Sequence, residues 1–388
     1  MKRARVLLLA AAAAMMVGVA GCGGSDAAAH EITTIKEKIP EAAEAATTAA
    51  TTEPEAEEEE MPPAEGMVRS VLTNEWIDGD LAKKRPIAVM YPINKEAQPQ
   101  YGLSNVDVFY EIMEEGDMSR QLGIIQDWEN LDRIGNIRSI RDYFVYAALE
   151  WDPIIIHFGG PELYVKDILS RPDVDNLNGT GGAMGSDYGA YYRIPEGSRS
   201  EHTAYTDGPH ILDAVEKAGF SLEHRPDYYT DKHFTFASEK EPNTLADYGD
   251  AVTATEIDMT GSYPVTKSGL TYNESDGLYY KTLYGQAQKD GETGEQMAFS
   301  NVLIQKAYYE VRDQKGYLAF QMHDSTRDGW FITQGKMIHV TWKKEGDYKP
   351  TTFYDDNGKE ITVNTGKTMI FVIKEDDSFK VNGKTYNG

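Results

Sequence analysis

The chain has 388 residues, with 63 acidic and 38 basic side chains and a formal net charge of −25. This balance opposes binding to a phosphate backbone, so nucleic acid is excluded as a partner class. With a single cysteine, Cys22, no disulfide forms within one chain, and stability must come from the core.

Residues 1–21 read as a lipoprotein signal peptide. Lys2, Arg3 and Arg5 make a positive start, and residues 6–17 form a short apolar core. Val19-Ala-Gly-Cys22 closes it in the pattern of a lipobox: small residues before a cysteine that is lipidated and becomes the new N-terminus. Each buried CH₂ of an acyl chain contributes about 0.8 kcal/mol, and stable anchoring takes more than one chain, which a diacylglyceryl group on Cys22 provides. Residues 22–66 then form a tether rich in Ala, Thr, Glu and Pro. It includes the run Glu55-Ala-Glu-Glu-Glu-Glu60, and with nothing to bury it is expected to be disordered and extended. No later apolar run is long enough to span a bilayer. These features place the protein on the extracytoplasmic face of the cell membrane, held there by lipid on Cys22.

Two domains are expected to follow. Residues 67–240 read as an α/β (or α+β) domain with a mixed sheet, and residues 250–388 as a mainly β domain, joined by a linker over 238–250. Strands are predicted at 85–91, 106–114 and 121–128. Ser139-Ile-Arg-Asp142 has the form of a capping box, followed by Ile140, Phe144, Val145, Ala148 and Leu149 at helical spacing. Pro153 stops that helix, Ile154-Ile-Ile156 is a buried strand, and Gly159-Gly160 turns into a helix over 161–169. Residues 176–192 read as a long Gly- and Tyr-rich loop, whose Tyr188, Tyr191 and Tyr192 either stack on sugar rings or pack. A helix is expected over 207–218. The second domain shows strands at 256–259, 277–283, 301–311, 317–322, 329–333, 336–343, 352–355 and 369–373, with turn signals at Asp356-Asn-Gly358 and Asn382-Gly383.

Chemistry-bearing residues concentrate in the first domain. In α/β sheets, ligands bind outside the carboxyl ends of strands, which is where His157 falls. Arg138 and Arg141 flank the predicted helix start. A cation there opposes the macrodipole by about 0.3–1 kcal/mol, so the pair points either to an anion site, with Arg120, or to partners among Asp142, Glu111 and Glu115. Glu111 and Glu115 should share a strand face, as a carboxylate pair for acid–base chemistry or as counter-charges for Arg120, Arg138 and Arg141. His157 and His202 are the histidines best placed to reach a common cleft. No metal or cofactor is expected: there is no H-x-x-x-H, no cysteine ligand and no complete phosphate loop at Gly366-Lys-Thr368. Ser139 and Ser186 lack the nucleophile-elbow context of a serine hydrolase.

The segments Arg85-Pro-Ile-Ala-Val-Met90, Tyr110-Glu-Ile-Met-Glu-Glu-Gly116, Ile134-Gly-Asn-Ile-Arg-Ser-Ile-Arg-Asp-Tyr-Phe144 and His157-Phe-Gly-Gly160 resemble the YerB family of Gram-positive lipoproteins. Asn301-Val-Leu-Ile304, Ile338-His-Val-Thr-Trp-Lys-Lys344 and Phe353-Tyr-Asp-Asp-Asn-Gly-Lys359 resemble that family's C-terminal module. The resemblance covers nearly all of the folded chain and implies architecture and location, not a reaction. The chain departs from the family pattern at Ile194, Glu201 and Thr203. The leading expectation is an anchored module that binds an anionic small ligand or cell-wall polymer at Arg120, Arg138, Arg141, His157 and His202. The alternatives are a cell-wall hydrolase or lyase using Glu111, Glu115 and His157, and an envelope scaffold.

Overall fold

The computed structural model of the protein describes residues 61–195 and 200–387. Cys22, the signal segment and the tether up to residue 60 lie outside the described residues.

An eleven-stranded mixed sheet carries the fold. At its centre the strands Ile87–Tyr91, Val108–Met113 and Ser119–Ile125 are buried at every residue, as expected where both faces of a sheet are covered. Val108–Met113 pairs antiparallel with Ser119–Ile125 and parallel with Thr368–Lys374, from the other end of the chain. Thr368–Lys374 lies parallel to Asn301–Ala307, which opens an antiparallel run through Asp324–Thr333 and Lys336–Lys344. On the opposite side Ile87–Tyr91 is parallel to Ile154–His157, and that strand is parallel to Asn176–Asn178. The fold class is therefore the expected one: a mixed sheet with few helices in the N-terminal region and mostly antiparallel strands in the C-terminal region. The two regions are hydrogen-bonded into one sheet.

Side chains alternate across the Val108–Met113 strand and so join the layers. Phe109 stacks on Phe299 with ring centroids 6.2 Å apart. Glu111 meets Lys281 in the strand Leu278–Leu283, part of a second, seven-stranded antiparallel sheet. Tyr110 faces the other way. It donates to Glu150 and accepts from the Trp151 indole, just beyond the helix Asp142–Leu149.

Several elements differ from expectation for tertiary reasons. The helix predicted to start after Ser139 spans Asp142–Leu149, with Arg141 as its N-cap. Residues 138–140 stay extended because their backbone groups bond to the ends of two strands. The loop predicted over 176–192 contains the edge strand Asn176–Asn178, and the Tyr191 hydroxyl is fastened to the Leu177 carbonyl at 2.5 Å, so that tyrosine packs. The predicted linker is pinned as well. Asn243 bonds to Asn364 and to the Thr362 carbonyl, and Leu245 is buried. The single strand expected over 301–311 is two: Asn301–Ala307 in the large sheet, and Tyr309–Val311 paired with Leu318–Phe320. The Asn382-Gly383 signal marks a real hairpin between Phe379–Val381 and Lys384–Tyr386. Both turn residues have positive φ, 48° and 79°, the conformation that Asn-Gly favours.

Candidate functional site

Ile87–Tyr91 and Ile154–His157 remain paired only as far as Val89 and Ile156. Beyond that point the segment before the Asp142–Leu149 helix runs between them. The Arg138 N–H donates to the Met90 carbonyl at 2.9 Å, and the Arg138 carbonyl accepts from the Phe158 N–H at 3.0 Å. The Ile140 N–H donates to the Gly159 carbonyl at 3.0 Å. Gly160 permits this approach: a Cβ there would sit 3.0 Å from the Ile140 carbonyl oxygen and 2.9 Å from the Val165 side chain. Arg138 thus occupies the crevice outside the carboxyl ends of two parallel strands, the usual ligand position in such sheets.

Two carboxylates and two further guanidiniums surround it. Val108–Met113 ends at Met113, and the chain turns through Glu115–Asp117, helped by Gly116 at φ 73°. Glu114 is buried, 2.7 Å from Arg120 and 3.0 Å from Arg141. Glu115 holds Arg141 through two hydrogen bonds, one of them 3.0 Å from Nε. Arg120 also donates to the Ser139 carbonyl at 2.6 Å. Tyr317, from the C-terminal region, lies 5.6 Å from the Arg141 guanidinium. Burial raises the Glu114 carboxyl above its ordinary range despite Arg120 and Arg141. Burial also pushes Glu115 up, but its bonds to Arg141 and that residue's charge outweigh it, and Glu115 lies lower than usual. Burial brings the Arg120 guanidinium down to about 10.

The cluster is short of negative charge by one. Arg120 and Arg141 are paired, so the surplus falls on Arg138. Its guanidinium donates to the Glu201 carbonyl at 3.2 Å, while its Nε is buried without a hydrogen-bond partner among the described residues.

The other predicted site residues are placed differently. Glu111 does not join Glu115: the strand ends between them, so period-two facing no longer applies. Glu111 is fully buried, 3.0 Å from Lys281, and accepts from Ser119 at 2.7 Å, from Ser268 and from Gln121 at 3.2 Å. A carboxylate sealed in this way offers no face to a substrate, and the Glu111–Glu115 pair required for glycoside cleavage is not assembled. His157 is fully buried. Its Nδ1 lies 2.9 Å from the Gly159 carbonyl and its Nε2 3.1 Å from Asn176 Oδ1, so both ring nitrogens are engaged within the protein. Burial lowers its pKa, against the pull of those two acceptors. Such a histidine holds the strand end and is not available as an acid or base. His202 is buried with Nε2 3.9 Å from the Glu201 carboxylate, on the segment whose Glu201 carbonyl meets Arg138. Sequence reasoning missed Glu114. Its signal was Glu114-Glu115 ahead of Gly116, a doubled carboxylate at a strand end close to Arg120. It also missed Lys281, whose partner lies in the distant N-terminal region. Among the described residues, no group of three His, Cys, Asp or Glu could hold a metal ion, and no helix is long and apolar enough to cross a membrane.

Comparison with known proteins agrees with this architecture. A model described as the N-terminal domain of a protein of unknown function, DUF3048, matches residues 72–221, and that of its C-terminal domain matches 234–370. YerB of Bacillus subtilis (strain 168), named as a candidate lipoprotein, is 26% identical over 324 residues, covering 83% of this chain and 91% of its own. The crystal structure of the YerB protein from Bacillus subtilis matches with a TM-score of 0.66 at 25% identity, over 79% of this chain and 96% of that one. With both DUF3048 domains matched in order and the fold shared over 79% of the chain, the chain belongs to the YerB-like family of lipoproteins.

Proposed function

We propose that this lipoprotein is anchored through Cys22 at the extracytoplasmic face of the membrane and there binds an anionic ligand, a small molecule or a cell-wall fragment, at Arg138. The observation that carries the reading is the buried, unpartnered Nε of Arg138, set in a crevice at strand carboxyl ends beside a cluster with one surplus positive charge. A carboxylate or phosphate would accept from Nε and a terminal nitrogen together, the two-pronged geometry that suits a guanidinium. Arg120 and Arg141, already paired, would supply field and would not make contact. Calorimetry with soluble peptidoglycan fragments and with inorganic phosphate tests this. Arg138→Ala is expected to weaken binding about tenfold or more, because a hydrogen bond to a charged group contributes about 1.5–3 kcal/mol. Equal affinity in the variant would remove the site.

The anchoring part has its own test. Cys22→Ala is expected to abolish incorporation of a labelled fatty acid and to leave the melting temperature of the folded region unchanged, since that region begins some forty residues later. An alanine variant that still takes up label would contradict a lipid on Cys22.

A further inference from the structure

An open cavity of about 440 Å³ lies between the two regions and shares no lining residue with the arginine cluster. Asn94, Lys95 and Met118 line it from the N-terminal region, and Val265, Lys267 and Tyr284 from the C-terminal region. Its size falls within the range of about 300–1,000 Å³ usual for small-molecule sites. Three observations single it out.

The first is charge. In a chain of net charge −25, two ammoniums line this cavity and Glu96 is its one acidic residue. Among the described residues neither Lys95 nor Lys267 has a carboxylate within ion-pair distance. The second is placement. The Lys95 ammonium lies 4.8 Å from the centre of the Tyr284 ring, which holds it at the cavity wall. The third is backbone strain. Tyr284, at φ 54°, forms with Gly285, at 73°, the two-residue turn between the strands Leu278–Leu283 and Gln286–Ala287, which accounts for its conformation. Lys267, at φ 48°, is one of nine described non-glycine residues with positive φ, a conformation unfavourable for a side chain of this size and concentrated at ligand sites. Both are fixed by main-chain bonds, Lys267 N–H to the Tyr263 carbonyl at 2.8 Å and Tyr284 N–H to the Thr266 carbonyl at 2.7 Å.

We infer that this cavity is a second binding site, for a monosaccharide-sized anionic sugar: a sugar acid or a sugar phosphate. Two point-charge ammoniums suit a carboxylate or a phosphate. The Asn94 amide both donates and accepts, as sugar hydroxyls require. Val265, 40% exposed, and Met118 provide apolar surface for the C–H face of a ring. The inference does not rest on the Arg138 reading.

Calorimetry on the folded protein with glucuronate, glucose 6-phosphate and glucose tests it. At least one of the two anions is expected to bind, and which of them does so distinguishes carboxylate from phosphate. Glucose is expected to bind at least tenfold more weakly. Lys95→Gln and Lys267→Gln are each expected to weaken the anion at least fivefold with unchanged melting temperature, and Lys267→Arg to restore it. Arg138→Ala is expected to leave this binding intact. The proposal fails if neither anion binds at millimolar concentration, if glucose binds equally well, or if the lysine variants bind as the parent does. It fails too if Arg138→Ala abolishes the binding while the lysine variants keep it.

Discussion

Replacing Lys281 with methionine is expected to cost about 3–5 kcal/mol of folding stability, the range seen when one partner of a buried ion pair is removed. Lys281 and Glu111 are both fully buried and 3.0 Å apart, so no water can replace the lost charge. Ser119, Ser268 and Gln121 still donate to the carboxylate, but neutral donors do not offset the cost of a buried anion. A typical domain is stable by only about 5–15 kcal/mol, so the loss would show directly in urea denaturation. The double variant Glu111→Gln with Lys281→Met should recover much of the loss. A Lys281→Met protein within about 1 kcal/mol of the parent at pH 7 would show that the pair contributes nothing specific to the fold.

Glu150→Gln is the second large effect, expected at about 3–5 kcal/mol at neutral pH by the same reasoning. The Glu150 carboxylate is buried and accepts from Tyr110 at 2.5 Å, Lys344 at 3.0 Å, and the Thr351 N–H and hydroxyl at 2.7 and 2.8 Å. His233, stacked on Trp151 at 3.5 Å, lies 3.6 Å away. Burial alone would push this carboxyl up. Lys344, His233 and Tyr110 outweigh it and hold Glu150 well below the usual carboxylate range. An amide in its place carries no charge against the Lys344 ammonium and offers one accepting oxygen where the carboxylate offers two. The linkage sign follows from the depressed pKa. The contribution of Glu150 is fully present above its unfolded value, near 4.5, and is lost as pH falls toward the folded one. Burial also lowers the His233 pKa, so protonation in the unfolded state adds to acid destabilisation below about pH 6.5. The parent should therefore lose stability steeply below pH 4.5, and Glu150→Gln should be weaker at pH 7 but flatter in that window. Parallel stability–pH curves for the two proteins would refute this role.

Both effects lie where the two family domains meet. Tyr263, from the C-terminal region, bonds to the Glu111 and Val372 carbonyls, one in each region, and Thr368–Lys374 completes the pairing of Val108–Met113. Buried charges are spent here on uniting the regions, which is why Glu111, the carboxylate that looked most catalytic in the sequence, is enclosed against Lys281, while His157 is engaged by Gly159 and Asn176 within the N-terminal region.

What the sequence alone determined is what local physics controls. The lipobox pattern Val19-Ala-Gly-Cys22, the buried run Ile154-Ile-Ile156, the helix expected over 207–218 and found as Gly208–Ala218, and the Asn382-Gly383 hairpin each depend on residues within a few positions of one another. The density of arginines around residue 138 was legible for the same reason. The tertiary structure alone decided which charges are used up. Glu150 meets Lys344 across 194 residues of chain, and Lys281 reaches Glu111 from the other sheet, pairings that no spacing rule encodes. It also moved the helix start from Ser139 to Asp142: hydrogen bonds from Arg138 and Ile140 to strand ends outcompeted the local capping box. That one displacement holds residues 138–140 in extended form between two strands and leaves Arg138, not Arg141, as the guanidinium with a buried nitrogen still lacking an acceptor.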